Sequence, residues 1–180
     1  MPFYEIIHNI TLNAEQRQEL ATGITNLHSK TFNAPSHFVN IKFSHTGTGS
    51  ILSQSSPAVP SYFIAGRARP HPNVIFAHVR GGPSRTNEHF AKLAEDIESI
   101  WYEVLGISYQ PSGHPSHTHP PQVDIGETVF HSGAPNGEKA FDWSDEKRLG
   151  AVFIVPGLIA RESGLAIPEA GNEREWLQAN

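Results

Sequence analysis

The sequence predicts an α+β protein: a two-layer sandwich from two tandem β-α-β units, with a four-stranded mixed sheet, two helices on one face and a long irregular insertion. Three observations predict it. A helix-period segment at 14–29 is followed by apolar residues alternating at 39, 41 and 43, which is strand periodicity. A second helix-period segment, again flanked by strands, repeats the pattern, and crossovers of this length permit right-handed connections between parallel strands. Between the second helix and its return strand, residues 107–147 are rich in Pro, His, Ser and Gly. A loop that long inside a domain is usually functional or disordered.

The elements follow in order. Residues 2–10 open with Pro2-Phe3-Tyr4-Glu5-Ile6-Ile7 and read as a strand. Asn13 is a candidate N-cap, and Gln16 three residues on completes a capping-box pattern. The helix runs to about residue 29, with Leu20, Ile24, Leu27 and His28 on one face and Glu15, Gln16, Arg17, Gln18 and Glu19 on the wet side. Gly23 weakens it slightly and marks close packing on the sheet. Residues 38–44 read as the next strand, and 45–60 are loop by composition. Residues 61–65 and 73–80 read as strands around the turn Arg67-Ala68-Arg69-Pro70-His71-Pro72. Ser84 and Thr86 are both candidate N-caps for a helix that reaches Leu105 and is stopped by Gly106. Its apolar face is Phe90, Leu93, Ile97, Trp101 and Val104. Residues 150–156 read as an apolar buried strand, and the chain closes with 161–167 and a short helical tail holding Trp176 and Leu177. Helices on one face leave the other sheet face uncovered, which argues for a homo-oligomer.

A chain of 180 residues suits one domain, 1–180, carrying the insertion 107–147, and is long enough to bury a core without staples. An apolar fraction of 38% with 14 Pro and 15 Gly points to long loops around a smaller core. The absence of Cys excludes disulfides, a thiolate nucleophile and a Cys-based zinc site. A formal charge of −5 gives no reason to expect nucleic acid. No apolar run approaches a membrane span, and no basic segment leads an apolar one as in a secretory signal. The expectation is a cytoplasmic protein with no nucleic-acid or membrane partner.

Met1-Pro2 is a pair from which the initiator Met is usually trimmed, because Pro is small. Trimming leaves a secondary amine at the head of a buried strand. A terminal amine titrates only slightly above neutrality, and nearby cations and desolvation lower it further. A neutral proline nitrogen is then a general base at physiological pH. Arg80 ends a strand and Arg85 starts the following helix, a place where the helix dipole adds to two guanidiniums that grip a carboxylate in two-point fashion. The same residues also read as surface arginines flanking a turn, with His28 an ordinary half-buried helix residue. A second cluster is His114, His117 and His119, with Asp124, Glu127 and His131 nearby. It reads as a zinc or nickel site, as a polar loop with incidental histidines, or as part of a lid over the Pro2 pocket.

Pro2, the segment 23–28 ending in His28, the segment 75–78 leading to Arg80 and Arg85, and a C-terminal block of Pro156, Glu162, Gly164, Pro168, Gly171 and Trp176 carry a resemblance. In order and spacing the chain resembles the tautomerase superfamily, in its branch similar to cis-3-chloroacrylic acid dehalogenase. The resemblance implies Pro2 as the catalytic acid or base, and Arg80 and Arg85 as binders of a substrate carboxylate that His28 helps to polarise. It implies Glu162, with a tyrosine, as activator of water. Two extra residues separate the arginines here, and Ala151 stands where the tyrosine is expected. Phe153 is the nearest aromatic, and Tyr4, Tyr62, Tyr102 and Tyr109 are candidate replacements. The implied activity is a cofactor-free, metal-free tautomerase or isomerase acting on a small carboxylate-bearing 2-oxo acid or enol, assembled as a homotrimer. Hydration, dehalogenation or decarboxylation of a 3-carbon unsaturated or oxo acid is the alternative within enzymes. A non-catalytic or metal-binding protein that uses the His-rich insertion is the alternative outside them.

Overall fold

The computed structural model describes residues 1–46, 62–64, 66–68, 71–82, 85–108, 145–157, 161–162 and 165–166. The first unit is β1 (Phe3–His8), α1 (Ala14–Phe32) and β2 (Asn40–His45), and β2 returns parallel to β1. The second is β5 (Asn73–Arg80), α2 (Asn87–Val104) and β6 (Leu149–Gly157), again with parallel strands. The units join by antiparallel pairing of β1 with β5, so the sheet order is β2-β1-β5-β6. The expected two-layer α+β architecture is therefore the one observed.

Local chemistry sets the helix ends. The Asn13 side chain accepts from the Gln16 amide while the Gln16 side chain accepts from the Asn13 amide, the reciprocal pattern expected from the sequence. Of the two candidate caps before α2, Thr86 occupies the position, with His89 closing the box. The core lies between the helices and one sheet face. Tyr4 and Ile6 of β1, Ile75, Ala77 and Val79 of β5, Leu20 and Ile24 of α1, and Leu93, Ile97 and Trp101 of α2 are buried there.

The opposite face is built from the alternate residues. The register puts Lys42, Glu5, Phe76 and Phe153 in one row across the sheet, and Asn40, Phe3, His78 and Val155 in the next. Phe3, Phe153 and Val155 are exposed, and the Phe76 and Phe153 rings stack at 5.0 Å.

Several expectations change in detail. β1 stops at His8, because Asn9 is taken by the Asn73 side chain and the His71 carbonyl. α1 continues past residue 29 to Phe32 and ends on Asn33 in the left-handed conformation, which Asn tolerates. A 3-10 turn (Ser36–Phe38) delays the start of β2. Residues 67–68 are strand rather than turn: β3 (Phe63–Ile64) and β4 (Arg67–Ala68) form a separate hairpin around Gly66, whose φ is +72°. Gly23 packs on α2, not on the sheet; a Cβ there would meet Ile100 Cγ2 at 3.0 Å. β7 (Arg161–Glu162) and β8 (Leu165–Ala166) pair as a hairpin. The helical tail and residues 109–144 of the insertion lie outside the described residues.

The chain re-enters the sheet after the insertion under firm control. Asn73, buried at the head of β5, donates to the Glu146 and Arg148 carbonyls at 2.7 and 2.9 Å. Trp101 donates to the Lys147 carbonyl, and the Tyr102 hydroxyl accepts from the Leu149 amide. Gly150 then passes so close to Pro72 that a Cβ would lie 2.8 Å from its Cβ.

Candidate active site

Pro2 is buried immediately before β1, and its carbonyl accepts from the Asn40 amide at 3.1 Å, extending the β1–β2 ladder. Alternation along the strand turns Pro2 and Tyr4 toward the same, helix-covered side. α1 brings His28 to this point. Tyr4 Oη lies 2.6 Å from His28 Nδ1, with the two rings edge-on. Burial pushes the His28 imidazole down to about 3, helped by the Arg85 guanidinium and the chain's terminal ammonium. Burial also pushes the Tyr4 phenol well above its ordinary range, while Arg85 pulls it back slightly. At neutral pH the pair is therefore a neutral imidazole beside a protonated phenol.

The arginines arrive from the end of β5. Arg80 is 7% exposed, and its Nε and Nη1 have no hydrogen-bond partner among the described residues. Arg85 donates through Nη1 to the Arg80 carbonyl at 2.9 Å, and its guanidinium sits 4.5 Å from the centroid of the Phe32 ring. A cation over an aromatic face is held by the ring quadrupole. The same Phe32 ring lies 4.8 Å from His28, one turn earlier on α1, so it buttresses both polar groups.

Met1, Pro2, His28, Ala34, Phe38, Arg80 and Arg85 line one pocket. With Met1 in place its free space is about 10 Å³, roughly what a single water requires. Sequence reasoning thus anticipated Pro2, His28, Arg80 and Arg85, and the fold gathers them. No residue of α2 itself is in this lining, although Arg85 immediately precedes the α2 N-cap Thr86. Glu162 falls in β7, and its side chain lies outside the described residues, as do Tyr109 and the histidines of the insertion. Among the described residues, no group of three or more His, Cys, Asp or Glu is placed to hold a metal ion.

Phe32, Ala34, Phe38 and the pairing of Tyr4 with His28 were not legible as site features. The one available signal was the spacing of His28 and Phe32, four apart on a helix. The remaining candidate tyrosines sit elsewhere: Tyr102 faces Leu149, and Tyr62 lies against His71. Phe153 is on the open sheet face.

Two β-α-β units joined by antiparallel pairing of their first strands, with a proline at the head of the leading strand, define the tautomerase fold class. Comparison of the sequence makes the assignment: the chain belongs to the tautomerase superfamily, in the family described as "Putative oxalocrotonate tautomerase enzyme", which matches residues 1–105. No curated protein matches the sequence. Among solved structures, N1, a member of the cis-3-chloroacrylic acid dehalogenase family, is 21% identical, with 99% of this chain and 92% of that one covered at a TM-score of 0.57. The F6 fused 4-OT wild-type asymmetric trimer is 14% identical, covering 97% and 98% at 0.54. MIF2 of Leishmania major is 14% identical, covering 92% and 97% at 0.51. At these identities the likeness is one of fold. No described helix is long and apolar enough to cross a membrane.

Proposed function

We propose that the protein is a cofactor-free tautomerase that moves a proton within a small carboxylate-bearing enol or 2-oxo acid. The observation that carries this reading is the pocket beside Pro2, where buried nitrogens of Arg80 and His28 have no partner among the described residues. Unpaired buried donors are costly, and an anion with a neighbouring oxygen relieves them. Arg80 and Arg85 grip the carboxylate, and His28 donates to the oxygen at C2. Pro2, neutral once Met1 is removed, takes the enol proton and returns it to C3, so the proton count balances within one molecule. Removal of Met1 also vacates side-chain space that it now fills in the lining. Glu162 is proposed to border the same site.

Hydration or dehalogenation, as the family resemblance implies it, pairs Glu162 with a tyrosine to activate water, and the Tyr4 hydroxyl is already committed to His28. Proton transfer is therefore the favoured chemistry. The open sheet face, carrying Phe3, Phe153 and Val155, supports assembly with further copies of the chain, and a trimer is the proposed state because the similar fused 4-OT is a trimer. Intact mass spectrometry should show Met1 absent, and ketonisation of phenylenolpyruvate or 2-hydroxymuconate, followed by absorbance, should fall at least 100-fold in Pro2→Ala, consistent with loss of a positioned base. A retained Met1, or unchanged turnover in that variant, overturns the proposal.

A further inference from the structure

We propose that Tyr4 is a positioning residue that locks His28 in the tautomer with its proton on Nε2, so that a neutral N–H donor is presented to the Pro2 pocket. The inference deepens the tautomerase reading and rests on it for its catalytic consequence, but not for the tautomer itself.

The hydrogen-bond inventory decides the direction of the bond. Tyr4 is fully buried, and His28 Nδ1 is the partner found for its hydroxyl. If Nδ1 carried the proton and donated to Oη, the phenolic hydrogen would be left in a buried site without an acceptor among the described residues. Leaving a buried donor unsatisfied costs more than a typical hydrogen bond contributes, because the group has given up its water. With the phenol donating, that hydrogen is satisfied, Nδ1 accepts, and the imidazole proton must reside on Nε2. His28 Nε2 is itself buried, has no partner among the described residues, and belongs to a residue lining the pocket. An N–H there matches a substrate oxygen; a bare lone pair there would repel one.

The geometry explains why Tyr4 can perform this task reliably. It stands two residues after Pro2, so one strand carries both the proposed base and the group that sets its neighbour's tautomer. The edge-on packing of Tyr4 and the Phe32 ring at 4.8 Å restrict rotation of the imidazole. Flipping the ring would break the 2.6 Å bond and place a carbon against the phenol. No proton moves through Tyr4 during turnover; it acts through His28 alone.

The test is ¹⁵N NMR of the histidine side chains in the substrate-free protein, with His28 assigned by its loss in His28→Gln. Wild type should show His28 with Nε2 protonated and Nδ1 unprotonated at pH 7. In Tyr4→Phe, which removes a single hydroxyl, the two tautomers should become mixed. Ketonisation of phenylenolpyruvate by that variant should show kcat reduced about 10-fold, with KM changed less than twofold, because the carboxylate clamp is untouched. A wild-type spectrum with the proton on Nδ1 overturns the inference outright. A Tyr4→Phe spectrum identical to wild type assigns the tautomer to something else and also overturns it. Absence of turnover in wild type, with the tautomer as stated, would sink the tautomerase reading and leave the lock standing.

Discussion

At the scale of single residues, His28 shows how burial changes chemistry. Its folded value near 3 lies below the ordinary 6.5, so between those values the unfolded chain binds a proton that the folded chain refuses. Stability must therefore rise with pH across that window and fall on acidification from about 6.5 downward, by at most about 1.4 kcal/mol per pH unit for one such group. His8 is buried too and shifted in the same direction, mainly by desolvation. Urea unfolding followed from pH 7 to pH 4 should accordingly show a steep loss in wild type and a shallower, still non-zero slope in His28→Gln. Identical slopes would mean that His28 is not held neutral. Arg85 illustrates a different lesson. Its place just before α2 was legible in the sequence, but the turn of its guanidinium onto the Arg80 carbonyl and the Phe32 ring was not.

At the scale of elements, the caps and periods were legible because they are local. The capping box of α1 is contained in four consecutive residues, and the Leu20, Ile24 and His28 face follows from helix geometry alone. The partner of Gly23 was not legible, since periodicity tells which face is buried but not what it meets. The two close-packed glycines should respond differently to a methyl group. At Gly150 the obstruction is the rigid ring of Pro72 and the Asn73 carbonyl, so Gly150→Ala should cost about 1–3 kcal/mol, as overpacking does. At Gly23 the obstruction is the Cγ2 methyl of Ile100 at 3.0 Å, a milder contact than that at Gly150, and the helix gains about 1 kcal/mol of propensity from Ala. Thermal unfolding by circular dichroism should therefore show a clear loss for Gly150→Ala and little net change for Gly23→Ala. Equal losses would contradict the packing described for β6. Much of the control over β6 comes from Asn73, Trp101 and Tyr102, which receive the chain after the insertion. Tyr102 was absent from the expected apolar face of α2, because its value lies in a hydroxyl that reaches a strand end remote in sequence.

At the scale of the molecule, one sheet face is covered by helices, and among the described residues no element covers the other. Phe3, Phe153 and Val155 remain exposed there beside the Glu5–Lys42 ion pair, in rows fixed by strand register. A surface that mixes exposed aromatic rings with a paired charge is suited to a second protein surface rather than to water alone. Light scattering coupled to size exclusion should report three chains per particle. Phe153→Glu, which puts a charge on that face at the edge strand β6, should yield monomers that remain folded by circular dichroism. A wild-type monomer would remove the proposed assembly.

By itself the sequence determined the two β-α-β units, the cap of α1 and the crossover lengths that permit parallel strands, since these depend on local propensity and on the period of apolar residues. Pro2, His28, Arg80 and Arg85 were legible through their order and spacing, which match a family rather than a physical rule. Tertiary structure alone decided that they share one pocket with Met1, that Phe32 carries Arg85, and that the hydroxyl of Tyr4 meets Nδ1 of His28. The reason is that a tautomer, an unpaired donor and a cation over a ring are properties of contacts between distant positions. Strand register and helix placement create those contacts, and neither is written in any single stretch of the chain.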